Sequence, residues 1–262
     1  MSVRAGERAA LEILEYMDTE HAYMGQALSE VLHRKNLTGS DRGAAVAFSK
    51  LTVENRQAVD FALMQLTKLN KAGRTVKNIL RLGAARILFG NNTEAQAVHA
   101  SVELCKAFGK GAQGKFVNAV LRNLARQKDQ IPWPEEQNDL MGFYSVRYSW
   151  PKFAVEQAFS LLGAEQACAF LKYRAPQPTT VRINPSKTTR EEIEAIFKAG
   201  GITAKNMWAD PRAYALEGAE NIPAMEAYRQ GKISLQGLAS MVAANQAALN
   251  GGIILDVCAA PG

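Results

Sequence analysis

The chain has 262 residues, 47% of them hydrophobic and 21% charged, which is the composition of a folded protein of one large or two medium domains and excludes a disordered tail. Thirty-one Lys and Arg against 25 Asp and Glu give a formal charge of +6. The excess is confined to one half: residues 1–130 carry 19 basic and 12 acidic side chains, residues 131–262 carry 12 and 13.

The stretch from Lys68 to Lys128 holds 12 basic residues and only Glu94 and Glu103 as acids, enough for a continuous positive face on a helical module. Such a face either binds nucleic acid or only solvates the surface. Cys105, Cys168 and Cys258 are widely spaced and in no metal-ligand pattern, so a disulfide framework and a zinc site are not indicated; a reduced, cytoplasmic protein is expected. The start lacks a signal-peptide core, and no stretch approaches ~18 uninterrupted apolar residues, so neither secretion nor membrane insertion is expected.

In chain order, residues 4–126 read as helices throughout, because apolar residues return every three or four positions. Ala10, Leu11, Leu14 and Met17 form one face, and Val59, Ala62, Leu63, Leu66 and Leu69 another. Ser40, ahead of Asp41 and Arg42, reads as an N-cap with first-turn charge, an RNA contact being the other use of the pair. From Val76 to Phe89, Ile79, Leu80, Gly83, Ile87 and Leu88 share a side while Lys77, Arg81 and Arg86 carry charge. Thr93 is placed to cap the helix that runs through Cys105. The loop Gly109-Lys110-Gly111-Ala112-Gln113-Gly114 opens the helix Lys115–Arg126; it either offers backbone N–H groups to a phosphate or is a flexible connection.

Residues 131–151 form a linker in which Pro132, Pro134 and Pro151 stop helices and Trp133, Phe143, Tyr144, Tyr148 and Trp150 crowd together. These rings can stack on unpaired bases, but a segment between two domains favours buried anchors. A mixed unit follows over 152–250: helices at 152–162 and 165–173, a strand at Thr179–Ile183, a helix at Arg190–Ala199 closed by Gly200-Gly201, strands at 202–207 and 212–216, a helix after Pro223, a strand at Ile233–Leu235 and a helix from Gly237 to Leu249. The fold class is therefore mostly α, with a helical bundle over 1–130 and a small α/β or α+β unit after the linker.

Residues 251–262 read as a buried strand breaking into small residues, the shape of the first strand of a doubly wound, Rossmann-like sheet, whose ligands lie outside the carboxyl ends of the strands. Spacing alone fits a generic strand and turn equally well. The run Leu255-Asp256-Val257-Cys258-Ala259-Ala260-Pro261-Gly262 nevertheless resembles the first cofactor motif of the S-adenosylmethionine-dependent RNA cytosine-5 methyltransferases. Leu80-Arg81-Leu82-Gly83-Ala84, Val98-His99-Ala100, Val102-Glu103-Leu104 and Gly114 to Arg122 are similar to the NusB-like helical domain that precedes catalysis in the bacterial Sun/RsmB type. Tyr148-Ser149-Trp150-Pro151, Val181-Arg182-Ile183-Asn184 and Gly231 to Ser240 resemble that family's connecting segments.

The resemblance implies methyl transfer to C5 of a cytosine in small-subunit ribosomal RNA, with one cysteine attacking C6 and a second assisting release, both on loops after the first cofactor motif. It assigns Cys258, Ala259, Ala260, Pro261 and Gly262 to the cofactor. The sequence stops at Gly262, inside that loop. The 262 residues alone are thus expected to lack the catalytic cysteines, to be inactive, to bind S-adenosylmethionine weakly or not at all, and to hold residues 252–262 loosely.

Candidate phosphate contacts are Lys77, Arg81, Arg86, Lys106, Lys110, Lys115, Arg122 and Arg126. His21, His33 and His99 have no triad partners, and no catalytic or metal-binding residue is assigned. A monomer that binds ribosomal RNA, without membrane or metal, is the expectation. The alternatives are a non-enzymatic NusB-like RNA-binding or transcription-regulation module, and a scaffold whose basic face meets an acidic protein.

Overall fold

The computed structural model describes residues 3–91, 93–173, 178–219 and 222–246. They divide into two compact units, within residues 1–173 and 174–262. The first holds helices α1 (Ala5–Glu20), α2 (Met24–Lys35), α3 (Gly39–Glu54), α4 (Arg56–Met64), α5 (Arg74–Phe89), α6 (Glu94–Ala107), α7 (Gly114–Gln127), α8 (Leu140–Arg147) and α9 (Lys152–Lys172).

Helix α5 is the axis of this unit. Eleven of its residues are buried, and it packs on α1, α3, α4, α6 and α7. Small residues make that possible: a Cβ added at Gly83 would fall on the Leu121 side chain of α7 and the Ser101 hydroxyl of α6. Leu11, Leu14, Val59, Leu63, Ile79, Leu80, Leu104, Val117, Leu121 and Leu124 close the core around it. A smaller cluster of Ile13, Val31, Leu32 and Ala45 joins α1, α2 and α3.

Cap positions follow the sequence at Thr93, whose hydroxyl accepts from Gln96 N–H while the Gln96 side chain accepts from Thr93 N–H, a capping box. They depart from it at Ser40. The N-cap of α3 is Thr38, and Ser40 and Asp41 lie inside the first turn. Asp41 instead serves α1, where its Oδ1 accepts from Gly6 N–H at 3.1 Å. Arg4, the N-cap of α1, makes no side-chain cap, so the acceptor comes from a neighbouring helix.

The Pro and aromatic segment is anchored inside the first unit. Trp133 stacks on Phe61 at 5.7 Å, and Trp150 Nε1 donates to the Leu171 carbonyl at 3.0 Å. Buried Tyr144 meets Phe143, Tyr148 and Phe159, and its hydroxyl donates to Glu136. Ser145 of α8 donates to Gln57 of α4. The two helices expected at 152–162 and 165–173 are the halves of α9, interrupted at Gly163 with φ 74°. They pack on α8 through Val155, Ala158, Ala167 and Leu171, so the division between units falls after Tyr173, whereas the sequence reading begins its second unit at Lys152.

The second unit contains β1 (Thr179–Ile183), α10 (Arg190–Ala199), β2 (Thr203–Asn206), β3 (Ala213–Glu217), α11 (Glu226–Arg229), β4 (Ile233–Leu235) and α12 (Leu238–Gln246). The strands pair antiparallel in the order β2-β3-β1-β4, with Val181 opposite both Tyr214 and Leu235. That makes the unit α+β. Val181, Ile183, Tyr214, Leu216 and Ile233 bury against Ile193 and Phe197 of α10. Thr189 caps α10 by accepting from Glu192 N–H, and Gly201, at φ 67°, turns the chain after it. The expected Rossmann-like strand at 251–262 lies outside the described residues.

Candidate nucleic-acid interface

Two of the eight basic candidates are structural. Arg81 is 7% exposed and grips Asp60 through Nε at 2.7 Å and Nη2 at 2.6 Å, while Nη1 donates to Asn78. Asp18 lies beside it, taking hydrogen bonds from Asn78 and Arg56. Burial opposes ionisation of Asp18, but the Asn78 hydrogen bond and the Arg56 and Arg81 charges together hold its carboxyl below the usual range. Arg86 is 6% exposed, pairs with Glu7 at 2.9 Å and lies over the Phe48 ring. The Arg81 guanidinium is thus held by Asp60 and Asn78, and that of Arg86 by Glu7 and the Phe48 ring, which leaves little of either to face a phosphate.

Lys77 is half-buried, whereas Lys106, Lys110, Lys115, Arg122 and Arg126 are exposed. Lys106 pairs with Glu103 at 2.5 Å. The others make no ion pair among the described residues, although Arg126 donates to Asn123.

The structure adds a pocket that the candidate residues only touch. It has a volume of about 570 Å³ and is lined by Lys68, Lys71, Arg74 and Lys110 together with Thr67, Gln113 and Phe116. All four cations are exposed, and no carboxylate lines the pocket. Its floor is the N-terminus of α5, where Gly73 supplies no side-chain cap and the first-turn amides of a helix lack intrahelical acceptors. Four cations around such amides form an electropositive site suited to anionic groups.

The glycine loop lies beside the same pocket. Gln113 N–H donates to the Lys110 carbonyl and Gly114 N–H to the Gly111 carbonyl, which closes the turn Gly111–Gln113. What the loop lends to the pocket are the side chains of Lys110 and Gln113.

From this pocket the basic surface continues along α7. Lys115, Phe116, Ala119, Arg122 and Arg126 are exposed at helical spacing opposite buried Val117, Val120, Leu121 and Leu124. At about 1.5 Å per residue, the stripe from Lys115 to Arg126 is ~17 Å long. It ends at a second groove, of about 440 Å³, shared by Arg122 and Arg126 with Asn118, His99 and Glu94. Glu94 is itself paired with Lys128.

Lys68, Lys71, Arg74 and Phe116 are the members that sequence reasoning left out of its candidates. The charge count from Lys68 onward contains the signal of the three cations, but helical periodicity starting at Val76 does not, and nothing in the charge count marks Phe116.

Cys105 is buried in the helical core, and that burial raises its thiol pKa. Cys168 is half-buried beside Tyr144. His21, His33 and His99 are exposed and far apart in sequence. Among the described residues no group of three His, Cys, Asp or Glu is arranged to hold a metal ion. The cofactor candidates Cys258, Ala259, Ala260, Pro261 and Gly262 lie outside the described residues.

The helices of the first unit pack around a single axis, and residues 6–126 match the NusB family. Residues 6–126 are a NusB-family domain, and the chain as a whole is homologous to the ribosomal RNA small subunit methyltransferase B proteins. It is 28% identical over 260 residues to a probable ribosomal RNA small subunit methyltransferase B of Bacillus subtilis (strain 168), covering 97% of this chain and 57% of that protein. The Xanthomonas campestris ribosomal RNA small subunit methyltransferase B is 28% identical over 225 residues, 85% of this chain and 49% of the relative. The transcription antitermination protein NusB of Sulfurimonas denitrificans is 28% identical over 132 residues, 49% of this chain and all of its own length. A crystal structure of PH0851 shares the fold, with a TM-score of 0.68 over 92% of this chain and 55% of that one at 15% identity. The chain thus spans about half the length of the methyltransferases it matches.

Proposed function

We propose that this chain is the RNA-recognition part of an S-adenosylmethionine-dependent methyltransferase acting on C5 of a cytosine in small-subunit ribosomal RNA. The observation that carries the recognition role is the pocket of Lys68, Lys71, Arg74 and Lys110, lined by no carboxylate, continuing into the exposed Lys115, Arg122 and Arg126 of α7. In this reading S-adenosylmethionine supplies the methyl group and Cys258, Ala259, Ala260, Pro261 and Gly262 approach it. The attacking cysteine is neither Cys105, sealed in the core, nor Cys168, packed by Tyr144; Cys258 belongs to the cofactor motif. The protein works in the cytoplasm as a monomer, and no described helix is long and apolar enough to cross a membrane.

A second reading, a NusB-like RNA-binding or transcription-regulation module without catalysis, has in its favour the match over the whole length of the Sulfurimonas NusB protein. The first is favoured because similarity to the Bacillus methyltransferase runs over 260 residues, through the second unit.

Filter binding of small-subunit ribosomal RNA at low salt tests the recognition role. Reversing the α7 stripe with Lys115→Glu, Arg122→Glu and Arg126→Glu is expected to weaken binding more than tenfold while the exposed sites leave the helical circular dichroism unchanged. Equal affinity of the variant and the parent chain would refute it.

A further inference from the structure

The turn joining β2 to β3 carries Trp208 with 94% of its surface exposed, far from the usual fate of a side chain able to bury about 150–250 Å². The backbone beneath it is braced from several directions. Met207 N–H donates to the Ala213 carbonyl, Ala213 N–H to the Asp210 carbonyl, and the Asn206 side-chain amide to the carbonyls of Pro211 and Ala213. The fully buried Asp210 carboxylate accepts from the Arg212 backbone N–H at 2.8 Å, from Arg212 Nε and Nη2 at 3.1 and 2.9 Å, and from Asn245 Nδ2 at 2.8 Å. The indole therefore stands on a rigid platform, and a ligand that stacks on it pays little to order the loop.

The surroundings narrow the ligand. A protein partner needs a contiguous apolar patch of several hundred Å². Trp208 has none: Met207 and Ala209 are half-buried, Pro211 is the other exposed apolar neighbour in the turn, and exposed Leu235 lies on β4, at the opposite edge of the sheet. The exposed charge at the turn is cationic, the one carboxylate, Asp210, being buried against Arg212. Lys205 on edge strand β2 is exposed and makes no ion pair among the described residues, and Arg212 keeps 40% of its side chain exposed while its partner Asp210 is buried. A flat aromatic face beside cations, with no apolar surround, suits an unpaired nucleobase and its phosphate.

We propose that Trp208 is a stacking platform for one unpaired base of the RNA substrate, a contact made by the second unit in addition to the NusB-family domain. The inference rests on the RNA-recognition reading above, and its test separates the two. Fluorescence anisotropy of the 262-residue chain is measured with a labelled, unstructured 12-nucleotide RNA and with a blunt RNA duplex of the same length. Trp208→Ala is expected to weaken single-strand binding about five- to a hundredfold and to leave duplex binding unchanged, with Trp208→Phe retaining most of the affinity. Lys71→Ala with Arg74→Ala, in the pocket of the first unit, is expected to weaken both RNAs. If the pocket variant weakens binding and Trp208→Ala changes neither RNA, the stacking role is wrong and the recognition reading stands. If the pocket variant has no effect, the recognition reading fails whatever Trp208 does. Absence of RNA binding by the parent chain overturns both. An unchanged thermal melt of Trp208→Ala shows that any loss is not unfolding.

Discussion

Arg81 of α5 and Asp60 of α4 are joined by two hydrogen bonds of 2.7 and 2.6 Å, a fork-on-carboxylate pair in which the guanidinium is buried and the carboxylate half-buried. Removing the guanidinium leaves Asp60, Asp18 and Asn78 around an unpaired polar hole. Arg81→Ala is expected to cost about 3 kcal/mol, read as a fall in the urea midpoint, while the folded fraction keeps its RNA affinity. A stable variant with weakened RNA binding would return Arg81 to the interface.

Helix crossing at Gly83 gives a second expectation. Alanine is the better helix former by up to about 1 kcal/mol, but its methyl would be driven into Leu121 and the Ser101 hydroxyl, both buried. Gly83→Ala is expected to lower the melting temperature by several degrees. A rise would mean that α5, α6 and α7 part more easily than their packing indicates.

The pH dependence of the second unit centres on Asp210. Hydrogen bonds from Arg212, opposed by burial and joined by Asn245, hold its carboxyl well below the usual carboxylate range. Because the folded pKa lies below the unfolded one, near 3.9, this stabilisation is present above about pH 4 and fades as pH falls through the folded value. Asp210→Asn is expected to cost about 2 kcal/mol at pH 7, and the difference from the parent chain should shrink between pH 4 and pH 2. A difference independent of pH would remove Asp210 from the acid response.

Local patterns in the sequence carry much of this architecture. Alternation marks Thr179–Ile183, the pair Gly200-Gly201 closes Arg190–Ala199, and Thr93 caps α6, all as the structure has them. The failures have one physical origin, partners distant along the chain. Arg81 and Arg86 carry the same helical signature as solvent-facing cations, and only Asp60 and Glu7, brought in by folding, make them structural. Asp41 reads as part of its own helix start until Gly6 is placed beside it. The pocket is similarly non-local, since Lys68, Lys71 and Arg74 meet Lys110 and Phe116 only when the start of α5 lies against the turn before α7.

The recognition claim is tested most directly by the salt dependence of single-stranded RNA binding. A single-strand phosphate contact contributes about −0.7 to the slope of log K against log salt. Replacing Lys71, Arg74 and Lys110 with alanine is expected to lower affinity at every salt concentration and to make that slope shallower by about 2, corresponding to three lost contacts. A slope identical to that of the parent chain would mean that RNA does not occupy the pocket, and would contradict the proposed role of the NusB-family domain.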